Sequence, residues 1–227
     1  MTWLNFLLTS FLFEAISFVR ETEQAPSFLS TPSSPLYLVE NFNITLQWTY
    51  TLDGAPLDDV EVIFTPDSPS PSAQRVARYR SGGTTQVASD VQDRFVFSLT
   101  DSQSTMTILR SQRSDSGTYE LTVTSDDFLS TTIKDSVKIS VKYASKINYT
   151  SGNQTLNESD TLHLTCVADG NPTPNITWTR VSNNKPVSFP LIISGKQDEG
   201  GYRCTASNDV GSPDSRTVYV FVQCKFY

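Results

Sequence analysis

Histidine and cysteine are nearly missing from this chain, with one His and three Cys in 227 residues. The single histidine, His163, sits between Leu162 and Leu164 in an alternating stretch that ends at Cys166. That alternation sends the leucines and the cysteine inward and His163 toward solvent. Around a lone exposed imidazole no Ser-His-Asp, Cys-His or metal-ligand cluster can be assembled. The acidic pairs Asp58-Asp59 and Asp126-Asp127 are expected as loop acids, neither a calcium site nor an acid/base pair. We therefore expect no enzymatic activity, no cofactor, no metal and no small-molecule substrate. Cations are also scarce: 17 Lys and Arg against 24 Asp and Glu leave a formal charge of −7. Nucleic acids and anionic membranes both need a basic patch, so neither is expected as a partner. A soluble, solvated surface accounts for the charge. Long runs with helical periodicity are missing as well.

What is present is β-forming residue types in short segments broken by Gly, Pro, Ser, Asn and Asp, the pattern of an all-β chain. Residues 3–13 are the one apolar run of note, and they read as the core of a secretory signal peptide with cleavage before Phe18. The run falls short of the ~20 residues that a helix needs to span a bilayer. Five Asn-x-Ser/Thr sequons follow, at Asn43, Asn148, Asn153, Asn157 and Asn175, and suit an extracellular glycoprotein. The chain is then expected either as a secreted protein or as an ectodomain cut short of its anchor.

One stretch occurs twice. Asp115-Ser116-Gly117-Thr118-Tyr119-Glu120-Leu121 returns 83 residues later as Asp198-Glu199-Gly200-Gly201-Tyr202-Arg203-Cys204. It resembles the D-x-G-x-Y-x-C signature of immunoglobulin domains, with Leu121 where the first copy's signature cysteine should be. Met106-x-Ile108 and Phe189-x-Leu191 each stand nine residues before their signature aspartates, which supports an internal repeat. The resemblance implies two tandem immunoglobulin-like β-sandwiches, each of about 100 residues. The expected boundaries are a signal peptide at 1–17, a leader at 18–34, a first domain at 35–142, a second at 143–223 and a tail at 224–227.

In the first domain, Phe42, Ile44, Leu46 and Trp48 alternate with Asn43, Thr45 and Gln47, predicting strand B with Asn43 outward. Trp48 stands where the first cysteine belongs, and the expected strand C, Val60 to Phe64, has no tryptophan. A disulfide is worth ~2–5 kcal/mol. Burying an indole removes roughly 150–250 Å² from water, about 4–6 kcal/mol at ~25 cal/mol/Å². A Trp48–Leu121 apolar pair could therefore replace the covalent bridge. The 73 residues from Trp48 to Leu121 leave room for the extra C′ and C″ strands of a variable-type, or V-set, domain. Gln74–Arg80 is the expected C′, Arg94–Ser98 strand D and Thr105–Leu109 strand E. Arg94 and Asp115 match the pair found beneath many V-set domains, and Tyr119 matches the tyrosine corner.

The second domain has the missing parts. Its strand B ends at Cys166, and Trp178 follows twelve residues later on strand C. Ala168 to Pro174 resembles the A-x-G-x-P-x-P loop of I-set domains, and Asp198 and Tyr202 repeat the signature. The resemblance implies a Cys166–Cys204 disulfide, with too few residues between them for both C′ and C″. Cys224 is left over: a free thiol, a partner for a cysteine beyond the chain, or an intermolecular bridge.

V-set domains usually recognise partners through the G, F, C and C′ face. Here its outward positions would include Glu61, Ile63, Arg78, Arg80, Glu120 and Thr122, with Phe128 at the domain end. The opposite charges on neighbouring strands would suit a self-complementary interface. The plan resembles the cnidarian allorecognition proteins, and also the carcinoembryonic-antigen adhesion molecules. Both imply cell-cell recognition through a disulfide-free first domain, with a protein partner that is itself or a close relative on an opposing cell. The alternative from another class is a soluble binder or decoy without an anchor.

Overall fold

A computed structural model describes residues 25–126 and 130–223; the expected signal peptide, Phe128 and Cys224 lie outside the described residues. The chain is all-β, with seventeen strands among the described residues and two short 3-10 turns. The first sandwich holds β1 (Ser27–Ser30), β2 (Leu36–Val39), β3 (Ile44–Thr51), β4 (Leu57–Pro66), β5 (Gln74–Arg80), β6 (Gln86–Val87), β7 (Phe95–Leu99), β8 (Gln103–Ile108), β9 (Gly117–Ser125) and the first half of β10 (Thr132–Thr150). One sheet runs β1-β3-β8-β7, and the other runs β10-β9-β4-β5-β6 with β2 added parallel to β10. Two further strands, β5 and β6, extend this sheet beyond β4.

The alternation of the sequence explains the layers. Leu46, Trp48 and Tyr50 of β3, Val60 and Val62 of β4, Met106 and Ile108 of β8, and Tyr119, Leu121 and Val123 of β9 are all buried in one cluster between the sheets. Two expectations need correction. Ser27–Ser30, assigned to the leader, forms β1 and pairs with Thr49–Thr51, so the sandwich begins earlier than position 35. Phe42, expected inward on strand B, precedes the strand and is 65% exposed.

Trp48 is fully buried and belongs to the same cluster as Leu121. Its indole N–H is not left unpaired: it donates to Asp135 Oδ2 at 2.7 Å. Trp48 lies in one sheet and Asp135 in the other, where Asp135 stands directly opposite Leu121 in register. The two sheets are therefore joined by a charge-assisted hydrogen bond inside an apolar contact. Such bonds contribute ~1.5–3 kcal/mol, within the range of the disulfide they replace.

Beneath the sandwich, Arg94 makes two 2.9 Å hydrogen bonds to the two oxygens of the buried Asp115 carboxylate. The same carboxylate accepts the Gln112 N–H, which fixes the 3-10 turn Arg113–Asp115. Tyr119 donates to the Asp115 carbonyl at 3.2 Å, and burial pushes its phenol pKa far above the usual value.

The second sandwich takes over without a linker, because β10 continues through it. Residues up to Lys142 belong to the first sandwich; from Tyr143 the strand pairs with β13 (Cys166–Asn171). The rest comprises β11 (Gln154–Asn157), β12 (Thr161–Leu162), β14 (Asn175–Arg180), β15 (Leu191–Ile192), β16 (Gly200–Ser207) and β17 (Asp214–Gln223). One sheet runs β11-β17-β16-β14, and β12 pairs with β15 on the other side. The single strand B expected over 161–166 is thus split into β12 and the start of β13. Cys166 and Cys204 are disulfide-bonded, with Ala168, Ile176 and Trp178 packed around them. Asp198 repeats the lower clamp, accepting Ser194 Oγ at 2.6 Å and Arg180 at 3.5 Å, while Tyr202 donates to its carbonyl.

At the junction, the Arg113 guanidinium lies 3.7 Å from the Tyr143 ring centre and pairs with Glu40 and Asp169. Tyr143 donates to the other Asp169 oxygen, and Asn171 donates to the Val141 carbonyl at 2.7 Å.

Trp48→Ala should destabilise the first sandwich by ~3–5 kcal/mol, a large part of the 5–15 kcal/mol typical of a domain. Denaturant unfolding of the variant checks this; an unchanged midpoint for the first sandwich would remove Trp48 from its central role.

Candidate recognition face

The outer surface of β10-β9-β4-β5 holds every described residue expected on the binding face. Strand alternation sets it up: Val60 and Val62 face the core, so Asp59, Glu61 and Ile63 face outward. Register then fixes the neighbours. Glu61 stands between Arg78 of β5 and Thr122 of β9, and Ile63 between Arg75 and Glu120. Lys134 of β10 stands beside Thr122.

The charges on this face are already matched within the chain. Glu61 accepts Arg75 at 2.8 Å and lies 3.3 Å from Arg78. Arg78 donates to Asp59 at 2.8 Å, and that hydrogen bond raises the guanidinium pKa above its usual value. Glu120 accepts Lys134 at 2.9 Å and the Thr122 hydroxyl at 3.4 Å. The opposite charges expected on neighbouring strands are present, and Glu61, Glu120 and Arg78 are each paired within the chain. Arg80 is the one of the four expected charges without an ion pair among the described residues. It borders a shallow depression lined also by Arg78, Gly83, Thr84 and Gln86.

Asp59, Arg75 and Lys134 were missed by sequence reasoning. Asp59 was expected as a loop acid, yet it lies in β4 and is 8% exposed. The signal available was an acid two residues before Glu61 on the same strand face, across from an arginine-rich strand. Asp126 ends outside β9, as a loop acid should, and its neighbour Asp127 lies outside the described residues. His163 is exposed, as expected. Among the described residues, no group of three or more His, Cys, Asp or Glu side chains is placed to hold a metal ion, and no helix is long and apolar enough to cross a membrane.

All five sequon asparagines are exposed. Asn43 immediately precedes β3 in the sheet opposite the charged face, and its Oδ1 accepts the Arg110 N–H. Asn148, Asn153, Asn157 and Asn175 all belong to the second sandwich. From residue 44 to 147 the chain has no asparagine at all, so the charged face carries no sequon.

Residues 146–208 match the family model described as immunoglobulin domain. Hemicentin-2 of Mus musculus is 36% identical over 85 residues, a match covering 33% of this chain and only 2% of hemicentin-2. Among solved structures, the chain superposes on one chain of the crystal structure of Dpr2 Ig1-Ig2 in complex with DIP-Theta Ig1-Ig3 at a TM-score of 0.62. That likeness has 18% identity and covers 88% of this chain and 67% of the other. The fold is that of tandem immunoglobulin-like sandwiches. The titin I67–I69 structure gives a TM-score of 0.54 at 17% identity, covering 88% of this chain and 66% of the other. The eight N-terminal immunoglobulin domains of the Down Syndrome Cell Adhesion Molecule give 0.51 at 18% identity, covering 88% and 25%.

Exposed ion pairs contribute ~0–1 kcal/mol each. Replacing Arg78, which holds two carboxylates, by alanine should lower the unfolding temperature more than Arg80→Ala, which breaks no ion pair among the described residues. Thermal unfolding of the two variants distinguishes them; equal losses would show that the pairing adds no stability.

Proposed function

We propose that this chain is an extracellular recognition protein that binds a second copy of itself, or a close relative on an opposing cell, through the β10-β9-β4-β5 face of the first sandwich. The observation that carries this reading is the contrast between that face and the rest of the molecule. The face is a broad sheet surface with charges held in fixed positions and no sequon, while the sequons cluster on the second sandwich. Side chains already held by ion pairs lose little conformational freedom on docking, which lowers the cost of association. Acidic groups in the middle strands (Asp59, Glu61, Glu120) flanked by basic groups on both sides (Arg75, Arg78 and Arg80 on β5, Lys134 on β10) form a pattern that a two-fold axis can match to itself. The second sandwich serves as the stalk, extended from the first by the continuous β10. No enzymatic role is part of this reading. The complex and the adhesion molecule among the structural neighbours are compatible with protein partners for such sandwiches.

Beads coated with the exported chain should cluster with each other, or with beads carrying a close variant. Arg80→Glu, which disturbs no internal pair, should reduce clustering while leaving the unfolding temperature in place. An absence of clustering with itself and with close variants would sink the self-recognition reading. Clustering unaffected by Arg80→Glu and by Glu61→Arg would move the interface off this face.

A further inference from the structure

The second sandwich exposes two aromatic rings on one strand, Tyr219 at 51% and Phe221 at 49%. They lie two residues apart on β17 and so share the outer face of its sheet. On the β16 side, Tyr219 stands opposite Gly201, which offers no side chain to cover it. On the β11 side stands a sequon. Thr155 is the register partner of Phe221, and Gln154 that of Val220. Asn153, one residue earlier, accepts the Tyr219 backbone N–H through Oδ1 at 2.9 Å. Asn153-Gln154-Thr155 thus runs alongside Tyr219-Val220-Phe221. The hydrogen bond pins the Asn153 amide at the edge of the aromatic strip through Oδ1, and the residue is exposed, so that its Nδ2 is the atom that would carry a sugar. Asn157 differs: its Nδ2 donates to Asp160.

We propose that Asn153 carries an N-linked glycan whose first sugars lie over Tyr219 and Phe221, and that this glycan is the cover of the exposed aromatic strip. The apolar face of an N-acetylglucosamine ring, with its axial C–H groups, stacks on an aromatic face, and the ring hydroxyls stay in water. The arrangement removes apolar surface that a soluble protein otherwise leaves open to association. The occupant is covalently attached to the strand beside the rings, so it needs no encounter with a partner. The proposal rests on export of the chain through the secretory route, not on the binding face of the first sandwich.

The full chain expressed in a glycosylating host supplies the test. Glycopeptide mass spectrometry should find sugar at Asn153. Thr155→Ala removes the sequon while keeping the Asn153 side chain; it should lower the unfolding temperature of the second sandwich by a few degrees and raise binding of a hydrophobic dye. Thr155→Ser, which keeps the sequon, should do neither. Trimming the glycan to its first sugar should preserve the protection. In a Tyr219→Ser/Phe221→Ser background, Thr155→Ala should have no further effect on dye binding, which separates loss of cover from general loss of folding. An unmodified Asn153 in protein whose Asn43 or Asn175 carries sugar overturns the proposal, and so does a Thr155→Ala protein with unchanged melting and dye binding. Absence of sugar from every sequon overturns both the export reading and this one, while self-clustering of the beads is read independently.

Discussion

The first sandwich depends on one contact between its two sheets: Trp48 of β3, buried among the core side chains, donating its indole N–H to Asp135 of β10. In the second sandwich the same structural task falls to Cys166 and Cys204. The two solutions differ physically. A disulfide acts largely by restricting the unfolded chain. The Trp48 arrangement acts in the folded state, through apolar area removed from water and a hydrogen bond to a charged acceptor. An unpartnered buried indole N–H would cost free energy, so Asp135 is required for the tryptophan to be placed there.

Asp135 also lies on the strand to which much else is attached. β10 pairs with β9, which presents Glu120 and Thr122; its Lys134 neutralises Glu120; and beyond Lys142 it becomes the first strand of the second sandwich. Anchoring β10 to the core through Asp135 thus anchors the edge of the charged face and the start of the second sandwich. Arg113, held by Glu40, Asp169 and the Tyr143 ring, secures the crossing from the other side. The lower clamps repeat in a changed form: the arginine that meets the signature aspartate comes from just before β7 in the first sandwich and from the end of β14 in the second.

Much of this was legible in the sequence because it rests on local periodicity. Alternation around Leu46 and Trp48, the repeated signature at Asp115 and Asp198, and the spacing of Cys166, Trp178 and Cys204 gave the fold and the inward or outward sense of most strand residues. What was not legible depends on contacts between distant segments. Asp135 lies 87 residues from Trp48 and has no local feature that marks it as a partner. Ser27–Ser30 lacks apolar alternation and forms a strand only because the edge of β3 is there to pair with it. Glu61 and Glu120 were correctly placed on the outer face, but only cross-strand register shows that their charges are matched by Arg75, Arg78 and Lys134 of the same chain.

Trp48 and Asp135 together stand in for a covalent bridge between the two sheets of the first sandwich. A double-mutant cycle with Trp48→Phe and Asp135→Ala, each of which removes the hydrogen bond, followed by denaturant unfolding of the first sandwich, measures their coupling directly. A coupling of ~1.5–3 kcal/mol is expected, as for a hydrogen bond to a charged group. Additive effects, with a coupling near zero, would contradict it.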